Sequence, residues 1–349
     1  MAPHDADRIK DVQDRPLTAR QLAARIGVSQ SAVSRAFNPG SSISNDLRDR
    51  ILQSARDFGY QPNALASMLT TRRTNIVGIV VSNMRNPFHT TLIENLAQGL
   101  QKVGLQSLLF NITDGARVAE QLNAIRTYNV DAVVVNAASV LSDKDLAWAT
   151  EGRKSVILNR VTKEEVNTIW CDGAAGTRAI VEHFHDLGRK RVGYVAGLAK
   201  TGIAIERHTA FVTRLAELGM RLVGTAGYDV YSYAAGWHGA LDLLPERPDA
   251  IFFASDSLAL GGSDALRRHG GIRIPEDIAI AGFDDIAMAS WPIYDLTTYR
   301  QPLQRIVDET VARIVSQDTT GPLHICLPGE LVIRSSTAGP ACSAPDLPS

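Results

Sequence analysis

Apolar and polar positions follow a helical period near the start of the chain, and short apolar runs replace that period further on. Leu22 and Ile26 stand four positions apart, which indicates one buried face of a helix. Thr18 and Gln21 have the spacing of a capping box, so a helix is predicted to begin beside them. Gly27 is expected to end that helix, because glycine adopts the left-handed turn conformation at little cost.

The next stretch, residues 28–38, divides into two halves when it is drawn as a helix. The apolar half holds Val28, Ala32, Val33, Ala36 and Phe37. The polar half holds Gln30, Ser31, Ser34, Arg35 and Asn38. An ordinary amphipathic surface helix shows the same division. The context favours another interpretation, because a helix, a glycine turn and a second helix that Ser29 can cap form a helix-turn-helix, whose second helix enters the DNA major groove.

A third helix is predicted to follow Ser44 and to stop at Gly59. Its apolar positions recur with helical spacing at Leu47, Ile51, Ala55 and Phe58. Three short helices that pool their apolar faces are the minimum core for so small a unit. Residues 17–73 contain eight arginines and three aspartates as their only fully charged groups, a net charge of +5. The whole chain carries −1, so the remainder carries −6, and a basic head on an acidic body is typical of proteins that bind a polyanion.

Beyond residue 75, apolar runs that have the length of buried strands alternate with helical stretches. A first series has strands at 76–81, 105–110, 132–136 and 155–159, with helices near 88–103, 116–128 and 143–151. A second series has strands at 168–171, 191–197, 222–228, 250–255 and 278–283, with helices near 174–187, 203–218, 234–244 and 256–268. This alternation predicts two doubly wound parallel sheets. Ligands bind beyond the carboxyl ends of such strands, so a cleft is expected at 82–88, 159–160, 255–256 and 284–285.

Six stretches of the chain, in their order and spacing, resemble the lactose-repressor (LacI/GalR) family of transcription factors. They are LTARQLAARIGVSQSAVSRAFN, FGYQPNALASMLTTRRTNIVGIVV, NPF at 86–88, IERHTAF at 205–211, SDSLALGG at 255–262 and PEDIAIAGFDD at 275–285. The resemblance covers roughly residues 17–337, and the ordered set is more specific than any one motif. It implies a small all-α helix-turn-helix head followed by two doubly wound parallel-sheet α/β lobes, of the periplasmic-binding-protein-like type I, with a ligand cleft between them.

Five segments follow from the pattern and the resemblance together. They are a disordered extension over 1–16, a helix-turn-helix domain over 17–60, a hinge over 61–74, a two-lobed effector-binding and dimerisation domain over 75–338, and a disordered tail over 339–349. The resemblance implies a short hinge helix from about Asn63 to Leu69 that orders only with DNA and a partner subunit. It also implies that Leu69 wedges into the minor groove, although packing against the body is an alternative. The family often has Ala-Arg where this chain has Ala66-Ser67.

The resemblance assigns DNA contacts residue by residue. Those implied to read base edges are Gln30, Ser31 and Arg35, of which Arg35 suits guanine and Gln30 suits adenine. Those implied to contact phosphates are Thr18, Ser29, Ser34 and Asn38. For Ser34 and Asn38, simple capping and solvation is the alternative.

Effector contacts are implied in the same way. They are Phe88, Asn159, Arg207, Tyr231, Ser255, Asp256, Asp284 and Gln301. Aromatic rings, carboxylates and a guanidinium suit a polyhydroxylated ligand. Two alternatives stay open: for Asp256, a cap on the following helix, and for Arg207, a salt bridge between lobes. Ser255 replaces a frequent asparagine and Asn159 a frequent aspartate, so the ligand cannot be copied from a known member.

Two other classes of protein fit the sequence less well. An enzyme is disfavoured because GLAKTGIA at 197–204 departs from a phosphate-binding loop at Ile203, and other catalytic motifs are missing from the sequence. His183 and His185 point away from each other on a helix, and three scattered cysteines lack metal spacing, so no metal or cofactor is expected. A sugar receptor without DNA binding would need an export signal, but the first residues of the sequence are polar and of mixed charge and do not resemble one. Such a receptor also has no use for a basic head.

These observations predict a cytoplasmic, homodimeric transcription regulator that represses from a palindromic operator and is released by a sugar-like effector. A dimer is expected because one helix-turn-helix covers about half a site. The alternative is a corepressor system that responds to a purine-like ligand. After the last predicted strand, residues 330–334, the sequence has no heptads, so a tetramerising coiled coil is not expected.

Overall fold

The computed structural model describes residues 17–38, 40–62, 73–82, 84–112, 118–136, 141–160, 166–198, 201–317, 321 and 323–338. These residues divide into two compact units, which separate between Thr74 and Asn75. The predicted N-terminal extension, the predicted C-terminal tail and the predicted hinge helix, with Leu69, lie outside the described residues.

The first unit is a three-helix head. Its helices are α1 (Ala19–Ile26), α2 (Gln30–Ala36) and α3 (Asn45–Asp57). The predicted capping box is present, because the Gln21 amide nitrogen donates to Thr18 Oγ1 over 3.3 Å and the Thr18 amide nitrogen donates to Gln21 Oε1 over 2.9 Å. Gly27 ends α1 with a φ of 69°, as the sequence predicts. Ser44 takes the N-cap position of α3, but its side chain makes no capping hydrogen bond.

The second unit contains two six-stranded sheets. Its strands are β1 (Ile76–Val81), β2 (Gln106–Asn111), β3 (Ala132–Asn136), β4 (Lys154–Leu158), β5 (Asn167–Cys171), β6 (Arg191–Ala196), β7 (Arg221–Gly227), β8 (Ala250–Phe253), β9 (Ala279–Asp284), β10 (Thr297–Arg300), β11 (His324–Leu327) and β12 (Glu330–Val332). Its helices are α4 (Pro87–Lys102), α5 (Val118–Thr127), α6 (Asp143–Thr150), α7 (Gly173–Asp186), α8 (Gly202–Glu217), α9 (Tyr233–Leu243), α10 (Asp256–Gly270) and α11 (Leu303–Val315), with 3-10 turns at Leu244–Glu246 and Ala287–Ser290.

One sheet has the strand order β11-β5-β4-β3-β1-β2 and belongs to what we call the first lobe. The other has the order β12-β10-β9-β8-β6-β7 and belongs to the second lobe. Neighbouring strands are parallel except for β12, which runs antiparallel to β10. The sequence-based assignment of residues 168–171 to the second series is wrong, because β5 pairs with β4 in the first sheet. A strand's sheet depends on where the chain turns back, which its local pattern does not encode.

The chain passes between the two sheets three times: after β5, after β10, and between β11 and β12. At the first passage the Asp172 amide nitrogen donates to the Leu327 carbonyl oxygen over 2.9 Å. At the third, the Gly329 amide nitrogen donates to Tyr299 Oη over 2.9 Å. The passages therefore lie together, where residues close to the strand ends of both lobes can face one ligand.

Helices α9 and α10 pack with their backbones almost in contact. A Cβ atom at Gly236 would lie 1.9 Å from the Leu258 carbonyl oxygen, and one at Gly261 would lie 1.9 Å from the Tyr233 carbonyl oxygen. Only glycine permits this approach, which fixes the first turn of α10 beside the ends of the second lobe's strands. Among the described residues, none of the helices combines the length and the hydrophobicity that crossing a bilayer requires.

Candidate DNA-binding surface and ligand cleft

The polar half of α2 faces solvent, as the helical period predicts. Ala32, Val33 and Ala36 are buried against the other two helices of the head. The five polar residues of the opposite half are all exposed: Gln30, Ser31, Ser34, Arg35 and Asn38. This surface offers an amide, two hydroxyls, a guanidinium and a second amide without a carboxylate among them, which is the composition that base edges and phosphates require.

Two of the four residues predicted to contact phosphates also hold the head together. Thr18 Oγ1 donates to Gln21 Oε1 over 2.9 Å, and Ser29 Oγ accepts from the Ala32 amide nitrogen over 3.1 Å. Ser29 Oγ also lies 2.9 Å from Ser31 Oγ. These hydroxyls therefore cap helices in the protein alone, and a phosphate contact would share their remaining capacity.

Arg207 is the central cation of the cleft. It projects from α8, is 8% exposed, and stacks its guanidinium carbon 3.6 Å from the centre of the Phe283 ring. Gly173 makes room for it, since a Cβ atom there would lie 2.7 Å from Arg207 Nε. Among the described residues Arg207 Nε has no hydrogen-bond partner. The contact seen here is thus stacking within the second lobe, and within the described ranges Arg207 forms no ion pair between lobes.

Asp284 ends β9 close to this cation, with a φ of 121° and 7% of its surface exposed. Gln301, on the passage after β10, donates from Nε2 to Asp284 Oδ1 over 2.6 Å. Burial raises the pKa of Asp284 to about 6, against the opposing effects of Arg207 and of the Gln301 hydrogen bond. Gln301 Oε1 is buried and unpaired within the described part of the chain. The Asp284 carboxylate and Gln301 Oε1 can therefore each accept a hydrogen bond from a ligand hydroxyl.

Asp256 has a different environment from Asp284, although both were predicted to touch the effector. It is fully buried, and its two oxygens accept from Thr298 Oγ1 over 2.6 Å and from the Ile286 amide nitrogen over 2.9 Å. Burial, reinforced by the nearby Asp284 charge, raises the pKa of Asp256 to about 8. The cap of α10 is Ser255, whose Oγ accepts from the Leu258 amide nitrogen over 3.4 Å. Asp256 thus ties the start of α10 to strand β10 and to the segment after β9, and its contact with an effector stays a prediction.

The first lobe contributes a chain of neutral polar groups. Asn159, at a φ of 55°, donates from Nδ2 to Asn136 Oδ1 over 3.2 Å, and Asn136 Nδ2 lies 3.0 Å from His89 Nδ1. An amide nitrogen can only donate, so His89 Nδ1 accepts and the ring proton sits on Nε2. Burial lowers the pKa of His89 to about 4, which keeps the ring neutral near pH 7. Phe88 is 4% exposed and lies in the hydrophobic core, so it offers a ligand little surface.

His89 and Asn136 were missed by the sequence analysis. Asn136 ends an apolar strand, so the rule that pointed to Asn159 at the end of β4 would also have found Asn136. Nothing in the sequence distinguishes His89, which follows Phe88 in the first turn of α4.

In the second lobe, Tyr231 packs on Gly197, where a Cβ atom would lie 2.0 Å from the ring, and burial raises the pKa of Tyr231.

The residues set aside by the sequence analysis have ordinary surroundings. His183 Nε2 lies 2.7 Å from Thr337 Oγ1, and burial lowers the pKa of His183. His185 lies on the surface beside Asp186. Cys171 and Cys326 are free thiols. Within the described ranges, no cluster of three or more metal-ligating side chains occurs.

An exposed polar helix face on a basic head, and a cleft of buried polar groups in a two-lobed body, define the class of ligand-responsive DNA-binding proteins. The profile described as "Bacterial regulatory proteins, lacI family" matches residues 18–63, and that described as "Periplasmic binding protein-like domain" matches residues 181–337. The two profiles together cover more than half of the chain. The chain belongs to the LacI family of bacterial regulatory proteins. It is a DNA-binding transcriptional regulator and not an enzyme.

Similar proteins agree with this assignment over nearly the whole chain. The transcriptional regulator AscG of Escherichia coli is 26% identical over 341 residues, which is 93% of this chain and 99% of AscG. The regulator CelR of Thermobifida fusca is 27% identical, over 91% of this chain and 98% of CelR. Among solved structures, a Lac repressor dimer bound to operator and the anti-inducer ONPF has a TM-score of 0.81 at 24% identity, with 93% of this chain and all of the other covered. A CelR–cellobiose complex has a TM-score of 0.67 at 27% identity, with 92% of this chain and all of the other covered.

Proposed function

We propose that the protein is a cytoplasmic, homodimeric repressor that binds a palindromic operator and is released from it by a sugar-like small molecule. The observation that carries this proposal is the pairing of two surfaces in one chain. One is the exposed polar half of α2, and the other is the buried corner formed by Arg207, Asp284 and Gln301. The first suits a duplex and the second a small polyhydroxylated ligand.

On the DNA side, we propose that Gln30, Ser31 and Arg35 read base edges. Arg35 can span guanine O6 and N7 with its guanidinium, and this kind of contact is worth about 1–3 kcal/mol of discrimination. Thr18, Ser29, Ser34 and Asn38 then fix the position of α2 on the backbone. The proposed minor-groove role of Leu69 rests on the family resemblance alone.

The test of base reading is Arg35→Ala against Arg56→Ala. Arg56 is an exposed arginine of α3 whose guanidinium bonds only to Gln53 Oε1 among the hydrogen bonds described, at 2.8 Å, so both variants lose one positive charge from the head. Arg35→Ala should weaken binding to the duplex that the wild-type protein selects from a randomised library by about 1–3 kcal/mol more than Arg56→Ala does. Equal losses would mean that Arg35 acts only through its charge.

On the ligand side, we propose a polyhydroxylated effector. Asp284 and Gln301 Oε1 can accept from its hydroxyls and Arg207 can donate to them, while the Tyr231 ring can cover an apolar face of a sugar. We add the neutral groups of Asn136, Asn159 and His89 to this site as its first-lobe wall. Two named relatives support the choice of ligand: a ribose operon repressor of Haemophilus influenzae, 26% identical, and the CelR complexed with cellobiose.

The effector is identified by a thermal-shift screen of the full-length protein against sugars, sugar acids and nucleobases, because a ligand that binds the folded state raises the melting temperature. Ligands that raise it are then added to a gel-shift assay with the selected duplex. Weaker DNA binding supports an inducible repressor, and tighter binding supports the corepressor alternative with a purine-like ligand.

Asp284→Ala should abolish the effect of the ligand and leave DNA binding intact. A normal dose response in that variant would place the effector elsewhere.

A further inference from the structure

The loop that follows α2 is fastened to α3 by one half-buried guanidinium. Arg48, in the first turn of α3, donates from Nη2 to the Asn38 carbonyl oxygen over 3.3 Å, and to Ser41 at its carbonyl oxygen over 3.3 Å and at Oγ over 3.2 Å. Arg48 Nη2 thus donates to three acceptors, all of which lie just after the C-terminal end of α2. Arg48 is half-buried, and its Nε atom is buried without a partner among the described residues, so the side chain lies against the head rather than extending freely into solvent.

Ser41 extends this contact back to α2 itself. Its hydroxyl lies within hydrogen-bond distance of the carbonyl oxygens of Arg35 and of Asn38, the second at 2.9 Å. The last carbonyl groups of a helix lack intrahelical donors and carry a partial negative charge. At this end of α2 the Arg35 carbonyl oxygen accepts from the Asn38 amide nitrogen over 3.1 Å, and the Ser41 hydroxyl is a second donor to it. The Arg48 cation, which bonds to Asn38 and Ser41 just beyond the helix, complements the charge.

We propose that Arg48 and Ser41 are positioning residues for operator recognition, which set the angle at which α2 presents Arg35 and Asn38 without touching DNA themselves. The proposal rests on the proposed role of α2 in reading bases. The physical reason is that α2 is only seven residues long, so its own hydrogen bonds do not hold it in place. The C-terminal end of α2, which carries Arg35 and is followed by Asn38 in the loop, is fastened to α3 through this bridge.

A positioning residue can be distinguished from a phosphate contact. Loss of a phosphate contact weakens binding to every duplex alike and lowers the slope of log K against log salt by about one. Loss of a positioning contact weakens binding to the selected sequence and leaves binding to an unrelated sequence nearly unchanged, because non-specific binding does not require an exact helix angle.

The experiment measures the fluorescence anisotropy of two labelled duplexes, the one selected by the wild-type protein and one of unrelated sequence, over a series of salt concentrations. The full-length variants are Arg48→Met, Ser41→Ala and the control Arg56→Met, which loses the same charge from an exposed site on α3. Ser41→Ala removes the hydroxyl that contacts Arg35, Asn38 and Arg48 without any change of charge, while the bonds from Arg48 to the two carbonyl oxygens can persist. It keeps the test valid if Arg48→Met fails to fold.

We expect Ser41→Ala to bind the selected duplex about tenfold more weakly than wild type, the effect of about one hydrogen bond, and the unrelated duplex within about twofold. Arg48→Met should lose at least as much specific affinity, with the same salt slope as Arg56→Met. Equal losses on both duplexes, a slope for Arg48→Met lower by about one than for Arg56→Met, or wild-type specific affinity in Ser41→Ala would each overturn the proposal. If Arg35→Ala retains full specific affinity, the proposed base-reading role of Arg35 fails. A loss of specific affinity in Ser41→Ala would then still support a positioning role for the bridge, and wild-type affinity in Ser41→Ala would overturn that role as well.

Discussion

The close packing of α9 on α10 makes Gly236→Ala a severe substitution. The added Cβ atom would lie 1.9 Å from the Leu258 carbonyl oxygen and 2.6 Å from the Leu258 Cα atom. Carbon and oxygen atoms ordinarily approach to about 3.3–3.6 Å, so the helices would have to separate by about 1.5 Å. Overpacking commonly costs about 1–3 kcal/mol. The obstacle here is backbone that cannot rotate away, so we expect a loss near or above the upper figure.

Gly202→Ala is the matched control for this substitution. Gly202 begins α8, and a Cβ atom there would meet nothing within 4 Å. Alanine exceeds glycine in helix propensity by up to about 1 kcal/mol, so this variant should be as stable as wild type or more stable. Urea denaturation followed by circular dichroism compares the midpoints of the two variants. A midpoint for Gly236→Ala no lower than that of Gly202→Ala would refute the packing argument.

Three further outcomes are expected. Gly173→Ala should push Arg207 off the Phe283 ring, because the new Cβ would lie 2.7 Å from Nε, and so weaken effector binding by about tenfold; titration calorimetry with the screened ligand checks this, and wild-type affinity would contradict it. Burial raises the pKa of Asp256, so wild-type stability should fall as pH rises from about 4 through about 8, and Asp256→Asn should flatten that fall in urea midpoints; a slope equal to wild type would contradict it. Thr18→Ala should lower the stability of the head by about 0.5–2 kcal/mol through loss of the capping box, and unchanged thermal unfolding of α1 would contradict it.

The head could be predicted almost completely from the sequence, because its structure is determined locally. The capping box at Thr18, the glycine turn at Gly27 and the burial of Val33 all follow from spacing within a few residues. What the sequence does not supply is the bridge from Ser41 to Arg48, since both residues look like ordinary polar surface positions.

The two lobes were predicted less completely, because the sheet to which a strand belongs depends on contacts between residues that are distant in the chain. β5 pairs with β4 in the first sheet, and β11 joins it from more than 150 residues further on. The short strands β10 and β11 and the helix α11 were not predicted.

In the cleft, Asp284 lies at the end of a strand, as predicted. The sequence could not, however, distinguish the environment of Asp284 from that of Asp256. Burial and two internal hydrogen bonds separate the two carboxylates, and neither is visible in a local pattern. His89 was missed for the same reason, since its role depends on Asn136 some 47 residues away.

The most direct test of the whole mechanism is the affinity for the selected duplex, measured by anisotropy with and without a saturating concentration of the screened ligand. We expect the ligand to raise the Kd of the wild-type protein by about tenfold or more, and to leave the Kd of Asp284→Ala unchanged, since a coupling of 1–3 kcal/mol is typical of allosteric proteins. An unchanged Kd in the wild-type protein, with the ligand bound, would contradict the proposed link between the cleft and the head.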